Sequence, residues 1–211
     1  PILPGWFNFD TIYQMKIKTY LFIDGSNLYA GQYDLFGPEN YLDFSKFIGE
    51  VEKRLKVKFY KIFFYASYSP KPKYLTQKAK QYLKNEALFY RNVKTLDNLT
   101  FFNGYRSKTS GKEKEVDVKL AVDIVNFAHL RRYDQAFLLS GDADFLHALF
   151  VAKELRKQVE IICLQNKILH KAAYYFKTTI FAFEKFVYNQ SPKQKIKILT
   201  IPKNSFIKSI K

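Results

Sequence analysis

The sequence predicts a single α/β domain built on a parallel sheet, and three observations carry that prediction. Short apolar runs alternate with amphipathic runs of helical period, the pattern of strands joined by crossover helices. The length, 211 residues, accommodates one such domain with trimmings rather than two. Apolar residues make up 47% and charged residues 26%, a balance that builds a packed core and argues against wholesale disorder.

The elements follow in chain order. Thr19-Tyr20-Leu21-Phe22-Ile23 reads as a buried strand ending at Asp24. Ser26 to Phe36 is a short helix with Ser26 placed to cap it. Asp43 to Lys56 is a clearer helix, because Phe44, Phe47, Ile48, Val51 and Leu55 recur at steps of three and four. Lys58 to Tyr68 is a second strand around Ile62-Phe63-Phe64-Tyr65, Ser69 to Lys73 a proline-punctuated loop, and residues 74–89 a lysine-rich helix. Arg91 to Leu96 reads as extended and Thr100 to Tyr105 as a hairpin-like excursion, leading to a polar, basic loop from Arg106 to Lys114. Glu115 to His129 is a helix apolar round most of its circumference, as a helix buried between neighbours is. Gln135 to Leu139 is a strand, Ala143 to Arg156 a helix, Val159 to Leu164 a strand, Lys167 to Tyr175 a helix and Thr178 to Phe183 a last strand.

The ends read differently. The single methionine, Met15, stands just before the first strand, so the natural start is expected at or near it, with residues 1–14 an upstream extension or vector remnant. The domain is then expected over residues 15–187 and a basic C-terminal tail over 188–211. From Ser191 onward that tail has six lysines and no acid, which suggests a loose arm.

Composition excludes several classes. The lone Cys163 cannot form an internal disulfide, and its apolar surroundings suggest an inert buried thiol. With His129, His147 and His170 scattered, no zinc site of usual spacing can be assembled. No apolar run is long enough to span a bilayer, and residues 1–9 lack the basic start of a signal peptide. A reducing cytoplasm and no membrane partner are expected. Against this ordinary background, 35 Lys and Arg face 19 Asp and Glu, a formal charge of +16. Such an excess suits a polyanionic partner, nucleic acid before anionic membrane. Drift in an AT-rich genome would also supply Lys, Ile, Phe, Tyr and Asn.

In a chain with few acids, their positions are informative. Asp24 lies at the carboxyl end of the first strand, and Asp142 and Asp144 lie just beyond another, in Leu138-Leu139-Ser140-Gly141-Asp142-Ala143-Asp144-Phe145. Ligands of open α/β sheets bind at the carboxyl ends of the strands, so two strands deliver three carboxylates to one edge. Asp117 falls in the first turn of the apolar helix, where the helix dipole tolerates a negative charge. Asp123 is about 120° further round that helix, and Lys119, four residues before it, is placed to pair with it. Each Asp motif alone would serve as a helix cap. Carboxylates converging without matching cations call instead for a hard divalent cation, Mg²⁺ or Mn²⁺, able to activate water and stabilise a leaving oxygen in phosphodiester cleavage.

Phe22-Ile23-Asp24-Gly25-Ser26-Asn27-Leu28, Lys114-Glu115-Val116-Asp117-Val118 and Leu139-Ser140-Gly141-Asp142-Ala143-Asp144-Phe145 together resemble the NYN domain, a branch of the PIN-like nuclease superfamily, and most of all its LabA-like bacterial group. The resemblance extends over roughly residues 17–185. It implies a PIN-like three-layer α/β/α fold with a mainly parallel central sheet and metal-dependent ribonuclease activity. Asp24, Asp117, Asp142 and Asp144 would then be the catalytic, Mg²⁺- or Mn²⁺-binding residues. Asn27 and Ser140 would orient ligands beside them, and Asp123 matches a later acid of the same helix. Two residues depart from the pattern: Glu115 stands where glycine commonly precedes the Val-Asp pair, and His147 stands where proline is frequent, three residues after Asp144, where it would either face the pocket or lie partly exposed on the helix.

RNA, single-stranded or structured, is the partner this resemblance implies. Arg106, Lys108, Lys112 and Lys114 run up to Asp117 and are the first candidates for phosphate contacts, while exposed aromatics near the pocket would stack unpaired bases. Hydrolysis by an activated water would leave a 3′-hydroxyl and a 5′-phosphate. Two other classes stay open: an RNA-binding or adaptor module without catalysis, and another Asp-x-Asp metal–phosphate enzyme. In the latter class, a Toprim-like site prefers Glu after the first strand, and a haloacid phosphatase wants Asp where Ser26 stands. A homodimer is left open.

Overall fold

The computed structural model of the chain describes residues 17–71, 74–106, 113–165, 175–183 and 196–210. In chain order these form β1 (Thr19–Asp24), α1 (Gly25–Phe36), β2 (Asn40–Leu42), α2 (Phe44–Leu55), β3 (Phe59–Ala66), α3 (Gln77–Val93) and β4 (Leu99–Asn103). Then follow β5 (Tyr105–Arg106), β6 (Glu113–Lys114), α4 (Val116–His129), β7 (Gln135–Leu139), α5 (Leu146–Glu154), β8 (Gln158–Leu164), β9 (Lys177–Phe183), β10 (Ile196–Ile201), a 3₁₀ turn (Lys203–Phe206) and β11 (Ile207–Ser209). The main sheet has seven strands in the order β10-β9-β8-β7-β1-β3-β4, and every neighbouring pair is parallel. From β1 the chain builds outward through β3 and β4, then returns to add β7 to β10 on the other side. The order therefore reverses between β1 and β7, and an open α/β sheet leaves a ligand crevice at such a switch point.

Both faces of the sheet are covered, as a parallel sheet requires. All six residues of β1 are buried. Leu21 and Ile23 enter one core with Leu28 and Tyr29 of α1, Phe44, Phe47 and Val51 of α2, and Phe89 and Val93 of α3. Tyr20 and Phe22 enter the other with Leu120 and Ile124 of α4 and Leu149 and Ala152 of α5. This is the three-layer α/β/α arrangement that the resemblance implies.

The differences from expectation lie where local pattern and tertiary packing compete. Asp24 rather than Ser26 caps α1, its carboxylate accepting from the Asn27 N–H. Residues Arg91 to Val93 continue α3, because Val93 buries one turn beyond Phe89; the strand expected there begins at Leu99, as an edge strand on β3. The hairpin is instead β5 with β6, pairing Tyr105 with Lys114. Helix α5 starts only at Leu146, since Ser140 to Phe145 is spent on a turn. Helix α4 is not enclosed, for Val118 is 68% and Val122 53% exposed. The helix expected over Lys167 to Tyr175 lies almost wholly outside the described residues.

The basic tail is the largest correction. Its described part is not a loose arm: β10 extends the main sheet beside β9, and β11 pairs antiparallel with β2. Lysine count obscured the apolar residues between the charges, of which Ile201 and Phe206 are buried. No helix among the described residues is long and apolar enough to cross a membrane.

Candidate active site

Asp24 ends β1 and is buried, with 5% of its surface exposed. Its Oδ1 accepts the Asn27 N–H at 3.0 Å and its Oδ2 accepts the Ser140 hydroxyl at 2.9 Å. Ser140, at the end of β7, is itself buried, and its Oγ accepts the Asp142 N–H at 3.0 Å. Asn27 closes the frame, its Oδ1 taking the Gly141 N–H at 3.1 Å. The β1–α1 and β7–α5 turns are thus tied together across the switch point by two hydrogen bonds. Gly25 is required between them and β3: a Cβ there would lie 2.2 Å from the Phe64 ring and 2.8 Å from the Tyr65 carbonyl.

The frame puts like charges near one another. Burial pushes the Asp24 carboxyl from its ordinary 3.8 up to about 6; the Asn27 and Ser140 hydrogen bonds oppose this, and the charges of Asp117 and Asp142 add to it. Asp117 is exposed in the first turn of α4. Asp142 is half-buried and its Oδ1 accepts the Asp144 N–H at 3.0 Å, which shapes the turn before α5. Asp144 and His147 are both exposed and line a groove of about 590 Å³ between α4 and α5, walled by Ala121, Val122 and Val125 with His129 further along. Among the described residues, no three His, Cys, Asp or Glu side chains stand together so as to hold a metal ion. A small, hard cation that keeps most of its waters is held by one or two carboxylates plus substrate phosphate, and the oxygen donors around Asp24 suit it.

Asp123 is already engaged. It is buried, its Oδ2 accepts the Tyr65 hydroxyl at 2.8 Å, and its Oδ1 pairs with Lys119 Nζ at 2.5 Å. The i,i+4 pairing is the one the spacing predicts. Tyr65 was missed by sequence reasoning although it sits beside Asp24 in the β1–β3 register; a contact spanning 58 residues leaves no local signal.

The backbone of Arg106 lies in β5 and that of Lys114 in β6, the two strands of a small ribbon that leads directly into α4. Lys108 and Lys112 lie outside the described residues. Between β6 and α4, Glu115 adopts φ 70°, ψ −24°. Left-handed backbone there accounts for the glycine that commonly fills this position in the pattern the chain resembles.

Comparison with known proteins agrees with this fold. The family model of the NYN domain matches residues 18–180. The crystal structure of a protein of unknown function from Vibrio parahaemolyticus, VPA0982, superposes with a TM-score of 0.57 at 17% identity, covering 82% of this chain and 96% of that one. At that identity the likeness speaks to the fold. No curated protein matches the sequence.

Proposed function

The chain belongs to the NYN domain family of nuclease-like domains, and from that premise we propose that it is a metal-dependent ribonuclease working at Asp24, Asp117 and Asp142, with Asp144 at the rim. The observation that carries the reading is the buried Asp24 at the β1–β7 switch point, held at both oxygens and sensing two further carboxylates. Asp24, with Asp117 or Asp142 beside it, would hold Mg²⁺ or Mn²⁺, the substrate phosphate completing the set. When bound, the cation neutralises charge at the attacked phosphodiester and makes water a better nucleophile.

The chain's own groups do the positioning. Ser140 and the Asn27 N–H fix the plane of the Asp24 carboxylate, while Asn27 Oδ1 fixes the Gly141 backbone that carries Asp142. In hydrolysis, water oxygen bonds to phosphorus, the P–O3′ bond breaks and a proton passes to the departing O3′, giving 3′-hydroxyl and 5′-phosphate ends. Basic residues of the β5–β6 ribbon, Arg106 and Lys114, with Lys108 and Lys112 between them, would contact flanking phosphates.

Incubation with labelled single-stranded RNA and Mn²⁺, with and without chelator, tests the reading. Cleavage is expected only with metal, and Asp24→Asn or Asp142→Asn should reduce it to background while leaving circular dichroism unchanged. Undiminished, metal-independent cleavage by both variants would overturn the proposal. Steeply salt-dependent RNA binding without cleavage would favour the second reading, a silent RNA-binding module, which the open arrangement of the carboxylates also suits.

A further inference from the structure

A second concave feature opens from the same edge of the sheet. Between α1, α3 and the loop after β3 lies a cleft of about 350 Å³ lined by Tyr33, Ser69, Pro70, Lys78, Tyr82 and Leu83 among others. The rings of Tyr33 and Tyr82 stand 4.9 Å apart at 60° and form its aromatic wall. Tyr82 is braced from behind by Tyr29, whose ring lies 5.0 Å away and whose hydroxyl donates to the Tyr82 carbonyl at 2.8 Å. The opposite wall is equally fixed. Glu86, buried, accepts from both the Ser69 N–H at 2.9 Å and the Ser69 hydroxyl at 2.7 Å.

The charge on α3 and the loop before it has one sign, while α1 carries the exposed Asp34 next to Tyr33. Residues 68–85 contain Lys71, Lys73, Lys78, Lys80 and Lys84 and no acid. The next acid, Glu86, is turned inward onto Ser69. Aromatic faces set among lysines are the composition of sites that stack unpaired bases while tracking a phosphate backbone. The location fits the same strand of RNA. Tyr65 is the register partner of Asp24, neighbouring strands lie about 4.8 Å apart, and Ser69 is at most about 14 Å of chain beyond Tyr65.

Resting on the ribonuclease reading above, we propose that this cleft is a nucleobase subsite: one unpaired base of the RNA strand stacks against Tyr82 and Tyr33, and Lys78 meets its phosphate. Bases flanking the cleaved bond are thereby gripped away from the metal, and the enzyme would favour substrates with a flexible, unpaired nucleotide at one fixed distance from the cut.

The test is fluorescence anisotropy of short labelled single-stranded RNAs in chelator, each carrying one abasic nucleotide at a different position and a cleavage-blocking group at the bond cut. An abasic nucleotide at one position should weaken binding by the parent protein roughly tenfold, with the other positions nearly silent. In Tyr82→Leu that position-specific loss should vanish. Because Tyr82 packs on Tyr29, Lys78→Gln, on an exposed side chain, provides the second arm: it should flatten the slope of log affinity against log salt by about 0.7. Equal losses at every position, or a Tyr82→Leu profile identical to the parent's, would overturn the subsite, as would a salt slope untouched by Lys78→Gln. A protein that passes these binding tests yet cuts no RNA keeps the subsite and loses the ribonuclease reading. One that cuts RNA with a flat abasic profile does the reverse.

Discussion

Asp24 serves three purposes with one carboxylate: it caps α1, receives Ser140 from the next strand, and supplies the buried oxygen of the site. The cost appears in its titration. Its folded pKa of about 6 lies above the ordinary 3.8, so the fold favours the protonated form. As pH rises past 3.8 the unfolded chain releases this proton while the folded chain keeps it until about pH 6. Stability therefore falls between those values and levels off above them, by on the order of 3 kcal/mol in the metal-free protein. Asp24→Asn cannot ionise. In urea titrations with chelator present, its stability relative to the parent should rise across that window, and a pH-independent difference would show that Asp24 titrates normally.

At the scale of elements, the junction between β6 and α4 is where local sequence and required geometry disagree most. Glu115 is exposed and carries a side chain in left-handed backbone, which costs roughly 1–2 kcal/mol. It is held there because the short ribbon must turn at once into a helix whose first turn presents Asp117. Glu115→Gly should raise stability by about 1 kcal/mol and the melting temperature by about 2–4 °C, read by thermal denaturation. A loss of stability would mean that the Glu115 side chain has a partner worth more than the strain. Helix α4 also shows why an all-round apolar pattern is a poor guide to burial. Val118 and Val122 point outward, and the charged network of Lys119, Asp123 and Tyr65 occupies part of the inner side.

Over the whole molecule, the C-terminal segment acts as a strap. It adds β10 to the main sheet, crosses to pair β11 with β2, and brings Lys208 to within 3.5 Å of Asp43, the cap of α2. The backbone carbonyl of Phe206 accepts the Asp43 N–H at 2.6 Å. Ile201 and Phe206 bury side chains worth roughly 1.5–3 kcal/mol each. A chain ending at residue 195 should therefore lose about 3–6 kcal/mol, visible as a large drop in urea midpoint or loss of a cooperative transition; an unchanged midpoint would show the strap to be dispensable. The same scale sharpens the charge of +16. Asp24, Asp43, Glu86 and Asp123 are buried while no Lys or Arg is, among the described residues. The accessible surface is thus more basic than the composition states, which would suit the RNA partner proposed above.

The sequence by itself determined where most strands and the helix α2 lie, because apolar period and turn chemistry act over a few neighbouring residues. That is why β1, α2, β7, β8 and β9 fall close to where the pattern places them, and why Asp24 and Asp142 were legible as residues at strand ends. Only the tertiary structure decided what those ends face. The Ser140–Asp24 bond spans 116 residues and the Asn27–Gly141 bond 114, and both depend on β7 returning to lie beside β1. Strand order is chosen by the burial of both sheet faces at once, a condition no local window contains. The same condition drew a lysine-rich tail into the sheet, engaged Asp123 with Tyr65, and left Asp144 on the groove beside α4.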